Sequence, residues 1–453
     1  MYFTRHIYQN LKEWKANPDR KPLILRGARQ VGKTTLIQNF ANLYKNHIFI
    51  NLERDSDLDF FTKYRDAITL VEALFLKNNI SPDEKKDTLL FIDEIQESKQ
   101  AIKILRYFHE DIPELHVIAA GSLLEHTMRK VKSFPVGRIN YLYLNPLNFP
   151  EFLDAMSQNL ANEQLKIIPV QKSAHKVLLD LFHKYSIIGG MPEIVKTYIK
   201  SRTIAYLPPV YESIWETYKN DIEKYASGDS NSRVIKHVVN TAHLFFNQRI
   251  KFQNFGNSNY RSREVSESFR SLDEAKIIQI IYPSTSITPP IIPDIKKSPK
   301  LQFLDTGILN YELNIQAELL AMENLNKIYK GALIPHLIFQ ELISLNITSY
   351  KKPVFWVREK TQSSAEVDLL YSFNNMIFPI EIKSGSHGTL RSLHQFIERT
   401  NHPYAIRMYS GEFLIEQAIT PSGTPYLLMN LPYYLSTQLE KYLSYFIDNH
   451  KLS

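Results

Sequence analysis

The chain has 453 residues, of which 44% are hydrophobic and 22% charged, and its formal net charge is +7. This composition is typical of a globular protein of about three domains, and the absence of cysteine excludes disulfides, thiolate metal sites and cysteine catalysis. The positive excess permits contact with nucleic acid, although such an excess is often just a solvated surface. Because the N-terminus is too polar for a signal peptide and no apolar run has the length of a membrane span, we expect a cytoplasmic protein without membrane contact.

The first predicted elements are a strand, a glycine-rich loop and a helix, in the stretch LILRGARQVGKTTLI. The stretch satisfies the phosphate-loop (P-loop) pattern G-x-x-x-x-G-K-[ST], whose backbone N–H groups and following helix N-terminus face a phosphate. We expect Lys33 to reach the β/γ-phosphates of a nucleotide and Thr34 to bind Mg²⁺; the alternative is a chance glycine-rich turn. The candidate nucleotide-binding residues are Gly27, Ala28, Arg29, Gln30, Val31, Gly32, Lys33, Thr34 and Thr35.

The next informative stretch, TLLFIDEIQ, ends a buried parallel strand with two acids. Asp93 is expected to hold the Mg²⁺, and Glu94 to polarise the attacking water. The alternative is an acidic helix N-terminus, where Asp and Glu are favoured without any catalytic role.

A further buried strand, HVIAAGS, ends at Ser122, which we expect to sense the γ-phosphate or orient water; ordinary turn chemistry after Gly121 is the alternative. Arg138 is predicted to lie in a loop, from which it would neutralise transition-state charge either in cis or from a neighbouring subunit of an oligomer. It could equally be a partner in a surface salt bridge.

Residues 229–312 show the outline of a winged helix: a helix over 233–246, a second helix over 262–281, a proline-rich basic run and a short strand. The second helix would enter a DNA major groove, and Lys296, Lys297 and Lys300 of the wing would contact phosphates. The alternative is a winged helix that serves only protein packing and leaves these charges solvated.

Acids recur in the C-terminal region. Glu341 lies on or beside the apolar stripe of a helix predicted over 333–345. In EVDLLY and IFPIEIKS the alternation of polar and apolar residues predicts two strands, and antiparallel pairing would bring Asp368 beside Glu381, with Lys383 next to them. Oxygen ligands of this kind suit a divalent metal.

Two resemblances follow from these motifs. GARQVGKTTL, LLFIDEIQ, AAGSLLE and the VGRI loop leading into YLYLNPLNFPEFL resemble the AAA-superfamily ATPases of the archaeal-type, signal-transduction-ATPase-like group. IGGMPEIV and SPKLQFLDTGILNY are similar to prokaryotic members of that group, so the resemblance spans most of the chain. It implies ATP binding at the P-loop, metal and water handling by Asp93 and Glu94, and a sensor role for Ser122.

The C-terminal acids resemble the PD-(D/E)XK nuclease superfamily, with Asp368 as its first acid, Glu381 and Lys383 as its E-x-K, and Glu341 as its helical acid. This resemblance implies that the carboxylates hold Mg²⁺, that the metal activates water, and that Lys383 stabilises charge on a scissile phosphate. The alternatives are an inherited fold without cleavage activity, or an ion pair on one strand face.

Together these expectations describe an α/β protein in four parts: a P-loop ATPase core (1–155), a helical lid (156–228), a winged-helix domain (229–312) and a C-terminal α/β restriction-endonuclease-like domain (313–453). The expected function is Mg²⁺-dependent ATP binding and hydrolysis, used as a switch on C-terminal domains that interact with DNA. The alternatives are an ATP-controlled, metal-dependent DNA nuclease and a regulatory scaffold whose nuclease-like domain is inactive.

Overall fold

The computed structural model describes residues 2–122, 137–225, 229–316, 333–358, 365–383 and 390–452. It divides into two compact units. The first unit comprises Met1–Pro146, Glu274–Ile277 and Asn346–Tyr350, and the second comprises Leu147–Asp273, Ile278–Leu345 and Lys351–Ser453. None of the helices in these described ranges combines the length and the apolar composition needed to cross a lipid bilayer.

The first unit is built on a five-stranded sheet with the order β2-β3-β4-β1-β5. Every neighbouring pair is parallel. The strands β3 and β4 are buried along their whole length, because helices cover parallel sheets on both faces. The strands are β1 Leu23–Arg26, β2 Asn46–Asn51, β3 Thr88–Asp93, β4 His116–Gly121 and β5 Asn140–Tyr143.

Two of the helices described in this unit begin after a residue whose side chain caps the helix N-terminus. The side chain of Asp66 accepts a hydrogen bond from Thr69 N, and that of Ser98 accepts one from Ala101 N. These bonds satisfy backbone N–H groups that have no partner within a helix. The helices are Ile7–Ala16, Lys33–Ala41, Asp55–Lys63, Ala67–Lys77 and Lys99–Asp111.

The second unit begins with helices. Asn148 caps the first of them in a capping box with Glu151. The helices of this part are Phe149–Ala155, Asn159–Leu165, His175–Ile188, Pro192–Ser201, Pro208–Tyr225, Asp229–Ala242 and Ser262–Glu274.

The GGMPE and LDTG sequences meet inside this unit. Gly190 N donates to Asp305 Oδ2 at 2.6 Å. A Cβ on Gly190 would lie 2.0 Å from Leu147 O, and one on Gly307 would lie 2.1 Å from Ile188 O. These glycines are therefore required by close backbone packing.

The helix predicted over 262–281 is shorter than expected. It ends at Glu274, and β6 Ile278–Ile281 follows, paired antiparallel with β8 Lys300–Phe303. Lys276 lies between them with φ +64°, a left-handed conformation that a helix cannot continue through. The β-branched residues after it then form a strand, because they pack well on a pleated surface.

A mixed seven-stranded sheet forms the rest of the unit, with the order β13-β14-β12-β11-β10-β9-β7. Its strands are β7 Pro283–Ser284, β9 Val354–Val357, β10 Glu366–Phe373, β11 Met376–Ile382, β12 Tyr404–Tyr409, β13 Leu414–Ile419 and β14 Pro425–Pro432. The accompanying helices are Thr306–Glu312, Leu333–Ser344, Arg391–Ile397 and Leu439–Asn449.

The turn between β10 and β11 sets the register of these two strands. Asn374 and Asn375 both have positive φ, at 45° and 58°, as the tight turn of a two-residue hairpin requires. The strands pair antiparallel with Leu369 opposite Ile380, so that Asp368 and Glu381 become cross-strand neighbours. This is the pairing that the alternating pattern predicts.

Candidate functional site

The P-loop connects the C-terminal end of β1 to the helix Lys33–Ala41. A Cβ on Gly27 would lie 2.2 Å from Leu144 O, so only glycine fits there. Gln30 and Gly32 have positive φ, at 62° and 95°, and these conformations turn the loop back on itself. The chain therefore adopts at this position the strand, loop and helix that the motif requires.

Lys33 lies inside this loop. Its Nζ donates to Gly27 O at 3.0 Å and to Ala28 O at 2.8 Å. Burial lowers the pKa of Lys33 to about 8, and Glu94 and Asp93 oppose this change. The ammonium group is thus held among the loop carbonyls and beside the two acids at the C-terminal end of β3.

Thr34 and Asp93 bring two oxygens together. The Thr34 hydroxyl donates to Asp93 Oδ2 at 2.6 Å. Asp93 is buried, and this burial raises the pKa of its carboxyl group. A hydroxyl and a carboxylate beside a P-loop are the oxygen donors that Mg²⁺ takes from protein, so the residues present fit this ion.

Glu94 adopts a left-handed backbone conformation, with φ +52° and ψ +46°. Such a conformation is costly for a residue with a side chain, and it is commonly found at functional sites. Gln96 Nε2 donates to Glu94 Oε2 at 2.6 Å and so fixes the orientation of this carboxylate. The sequence interpretation did not identify Gln96, because a glutamine two residues after an acid carries no motif of its own.

Ser122 follows β4, and the strand order explains its place in the site. β4 lies between β1 and β3, so its C-terminal end lies between the P-loop and Asp93. The side chain of Ser122 is buried, and within the described residues its Oγ has no hydrogen-bond partner. The structure thus brings Ser122 to the same sheet edge as Lys33 and Glu94.

The other loop residues have structural contacts. Arg29 forms an ion pair with Glu53 at 2.8 Å. Arg5 Nη1 donates to Val31 O at 3.1 Å, which ties the loop to the segment before the first helix. Sequence interpretation missed Arg5, because it lies far from the motif along the chain. The side chain of Thr35 is exposed.

Arg138 lies at the opposite edge of the sheet. It precedes β5, whose first residue Asn140 pairs with Leu23 at the start of β1, whereas the P-loop follows the end of β1. A four-residue strand separates the two edges by about 13 Å. Arg138 forms an ion pair with Glu110, so the structure does not bring it to the P-loop of its own chain. A role in a neighbouring subunit stays a prediction.

The C-terminal acids form a second site. Ile382 N donates to Asp368 Oδ2 at 2.8 Å, and Lys383 Nζ lies 2.6 Å from Glu381 Oε1. Burial raises the pKa of Asp368. Burial, together with the charge of Asp368, raises the pKa of Glu381 to about 7. The structure therefore brings Asp368, Glu381 and Lys383 together, as the strand pattern predicts.

Lys300 is the unexpected member of this neighbourhood. Sequence interpretation placed it on the wing as an exposed phosphate contact, but it is buried and its Nζ lies 2.6 Å from Glu366 Oε1. Its charge also counteracts the rise in the pKa of Asp368. Lys300 is the first residue of β8, where the pairing with β6 holds it inside the unit.

Glu341 has partners elsewhere. It is fully buried, it accepts a hydrogen bond from Phe149 N at 2.9 Å, and its Oε1 lies 2.7 Å from the hydroxyl oxygen of Tyr185. Burial raises the pKa of Glu341 to about 8. Within the ranges that the structure describes, no group of three or more His, Cys, Asp or Glu residues could hold a metal. The predicted metal site of Glu341, Asp368 and Glu381 is therefore not assembled, because Glu341 has its hydrogen-bond partners elsewhere.

Three parts of the chain match known protein families. Residues 19–153 match the family described as AAA domain. Residues 179–319 and 330–422 match families described as domains of unknown function, DUF8612 and DUF4143 respectively. No match was found among the curated proteins.

Several solved structures are similar to this chain. A Walker-type ATPase of Pyrococcus abyssi is 15% identical, with 69% of this chain and 96% of that chain covered and a TM-score of 0.45. A signal transduction ATPase with numerous domains and a tetratricopeptide repeat sensor, from Pyrococcus horikoshii, is 12% identical, with coverages of 76% and 48% and a TM-score of 0.27. The Hsp104-ADP complex of S. cerevisiae is 12% identical, with coverages of 60% and 38% and a TM-score of 0.28. At this level of similarity, the activities of these proteins do not carry over to this chain.

Proposed function

We propose that this chain binds ATP with Mg²⁺ and hydrolyses it at the edge of the first sheet. The match of residues 19–153 to the family described as AAA domain supports an ATPase of the AAA type. The observation that carries this proposal is the hydrogen bond of 2.6 Å between Thr34 and Asp93, beside the buried ammonium group of Lys33. In this arrangement Lys33 would bind phosphate close to the two oxygens that would hold Mg²⁺.

Each residue of the site has a distinct task in hydrolysis. Lys33 and the loop N–H groups bind the phosphates, and Thr34 with Asp93 would hold Mg²⁺, which supplies charge neutralisation for the transferred phosphoryl group. Glu94 orients the attacking water and accepts its proton. Ser122, whose hydroxyl has no partner in the described part of the chain, donates a hydrogen bond toward the γ-phosphate.

The test compares steady-state ATP hydrolysis by the wild type and by single variants of the full chain. Lys33→Ala should abolish nucleotide binding, and Glu94→Gln should retain binding and lose hydrolysis. Lys45→Ala is the matched control, because Lys45 is an exposed lysine of the same unit that forms an ion pair with Glu84. Wild-type hydrolysis by Lys33→Ala would show that the site is wrongly assigned.

The purpose of hydrolysis is the second part of the proposal: a nucleotide switch that acts on C-terminal parts which interact with DNA. What supports DNA interaction is the succession of the helices Asp229–Ala242 and Ser262–Glu274 and the hairpin of β6 and β8, which is the outline of a winged helix. An isolated antiparallel bridge also joins Arg249 to Lys300, the first residue of β8.

A second candidate function is metal-dependent cleavage of DNA at the acidic site. It is favoured by the meeting of Asp368, Glu381 and Lys383, and by the buried Oε2 atom of Glu381, which has no hydrogen-bond partner within the described residues. Two carboxylates suffice for Mg²⁺ when a substrate phosphate and waters complete its shell. Asp368 and Glu381 therefore fit Mg²⁺ as two of its oxygen ligands, with the substrate and waters as the others.

The test of the second candidate is cleavage of circular and linear DNA with Mg²⁺ or Mn²⁺, with and without ATP. Cleavage by the wild type that is lost in Glu381→Ala would support a nuclease, and its dependence on ATP would show coupling to the P-loop. An absence of cleavage under all conditions would leave a regulatory scaffold as the role of this part of the chain.

A further inference from the structure

One face of the seven-stranded sheet carries a row of polar side chains that crosses four neighbouring strands. Glu381 of β11 is the register partner of Arg407 in β12, and Arg407 is the partner of Asn430 in β14. Asp368 of β10 continues the row, because Leu369 pairs with Ile380. Paired residues of adjacent strands point to the same face and lie about 5 Å apart, so the row extends the acidic site along the sheet.

The row contains buried polar atoms that the described residues leave without a hydrogen bond. These atoms are Glu381 Oε2, Arg407 Nε and Asn430 Oδ1. Asn430 is 0% exposed and Glu381 is 6% exposed. Buried polar groups are almost always paired with protein, water or ligand, so three unpaired atoms in one row indicate that something other than these side chains satisfies them.

The guanidinium of Arg407 lies at long distances from its charged and aromatic neighbours in the described part of the chain. Its Nη2 lies 3.8 Å from Glu416 Oε1, beyond hydrogen-bond distance, and its guanidinium lies 5.0 Å from the ring centre of Tyr409. Glu416 Oε1 instead accepts a hydrogen bond of 2.7 Å from Asn430 Nδ2. The Arg407 side chain remains 18% exposed, so a ligand can reach it.

We propose that Arg407 is a phosphate-binding residue of the site formed by Asp368, Glu381 and Lys383, and that the phosphate belongs to the backbone of a nucleic acid. The planar guanidinium matches the geometry of a phosphate better than a lysine does. Arg407 lies one strand away from Glu381 and two strands away from Asp368. The phosphate would lie between a metal-binding pair and an arginine, the arrangement that neutralises its charge from two sides. This inference rests on the second candidate function.

The contact with Glu416 allows a second test, in which a substitution should strengthen phosphate binding and not weaken it. Glu416 competes with a phosphate for Arg407, because it is the one carboxylate that forms an ion pair with this residue in the described part of the chain. Glu416→Gln removes the competing charge while its amide oxygen still accepts the bond from Asn430. This variant should therefore bind phosphate more tightly than the wild type, which a merely structural role for Arg407 does not predict.

The experiment measures the binding of a fluorescein-labelled DNA oligonucleotide to the full chain by fluorescence anisotropy, in Ca²⁺, over a series of KCl concentrations. Arg407→Met should weaken binding about tenfold and lower the slope of log affinity against log salt by about one. Arg407→Lys should restore the slope and part of the affinity. The matched control is Lys196→Met, which removes one positive charge that is paired with Glu193 at 3.1 Å on a helix surface.

The outcomes separate this inference from the function on which it rests. If the wild type binds DNA, and Lys383→Met weakens binding while both Arg407→Met and Glu416→Gln leave it unchanged, the inference is wrong and the second candidate stands. If neither Lys383→Met nor Arg407→Met changes the binding, both are wrong. Displacement of DNA by inorganic phosphate at equal phosphate concentration would show that the site takes free phosphate, and would overturn the assignment to a nucleic-acid backbone.

Discussion

Glu341 leads to a quantitative prediction because its burial and its hydrogen bonds favour a neutral carboxyl group. The Tyr185 hydroxyl has one proton, yet it lies 2.8 Å from Leu147 O and 2.7 Å from Glu341 Oε1, and it accepts from Gln340 Nε2 at 3.0 Å. If Tyr185 donates to Leu147 O, Glu341 must donate to Tyr185, which only a protonated carboxyl can do. Burial, which raises the pKa of Glu341 to about 8, favours the same state.

The substitution Glu341→Gln reproduces this neutral group. Its amide nitrogen would donate to Tyr185, and its oxygen would accept from Phe149 N. In the unfolded wild type, the carboxyl ionises above its usual pKa of 4.5, whereas the folded protein keeps the proton up to about 8. The folded state then binds more protons between these values, so wild-type stability falls as the pH rises through this window. At about 1.4 kcal/mol per pKa unit, the loss has an upper limit on the order of 5 kcal/mol.

The assay is urea and thermal unfolding of both proteins between about pH 5 and pH 8. The variant should equal the wild type at the acid end and unfold at increasingly higher urea and temperature than the wild type as the pH rises. Glu163→Gln is the control, since Glu163 is an exposed carboxylate paired with Lys166, and it should follow the wild type. Parallel curves for Glu341→Gln and the wild type would refute the reasoning, because they would mean that Glu341 is ionised in the native protein.

Three further predictions concern single contacts. Gln96→Ala should lower kcat for ATP hydrolysis by about tenfold or more with nucleotide affinity unchanged, because Glu94 loses its hydrogen bond; an unchanged kcat would contradict this. Gly190→Ala should lower the unfolding temperature clearly, since its Cβ would lie 2.0 Å from Leu147 O, and calorimetry should detect this. Lys300→Met should also destabilise the chain, because it leaves a carboxylate at 2.6 Å without its partner; equal urea midpoints would show that this ion pair is dispensable.

The meeting of the P-loop with Asp93 and Glu94 at one edge of the sheet could be predicted from the sequence, because both motifs are encoded locally. The P-loop from Gly27 to Thr35 is contiguous, and Asp93 and Glu94 follow a strand whose apolar run is unmistakable. Parallel pairing then brings strand ends together at one edge of the sheet, so two distant motifs meet without further information. Asp368 and Glu381 were placed correctly for a similar reason, since alternation along a strand determines which face a residue occupies.

The remaining residues could not be predicted because their roles depend on distant neighbours. An acid on an apolar helix suggested a metal ligand, but Glu341 is bound to Tyr185 and to Phe149 N, more than a hundred residues away. Arg138 was expected to act on the nucleotide from a loop, yet it lies at the far edge of the sheet from the P-loop of its own chain. Periodicity also failed to show that the helix ends at Glu274, because the apolar run that follows fits a helix and a strand equally well.

The short strand β7 ties the predicted proline-rich wing to the C-terminal sheet. Pro283 and Ser284 pair with Phe355 and Trp356, and side chains of the same wing cover the sheet's hydrophobic core. A chain cut near residue 312, between the predicted winged-helix and nuclease-like domains, would leave an unpaired strand edge on one fragment and bare apolar surface on both. Such edges and surfaces promote aggregation. We therefore expect the two parts to be inherited and expressed together and to unfold as a single unit. Each part should fail to fold when it is produced separately.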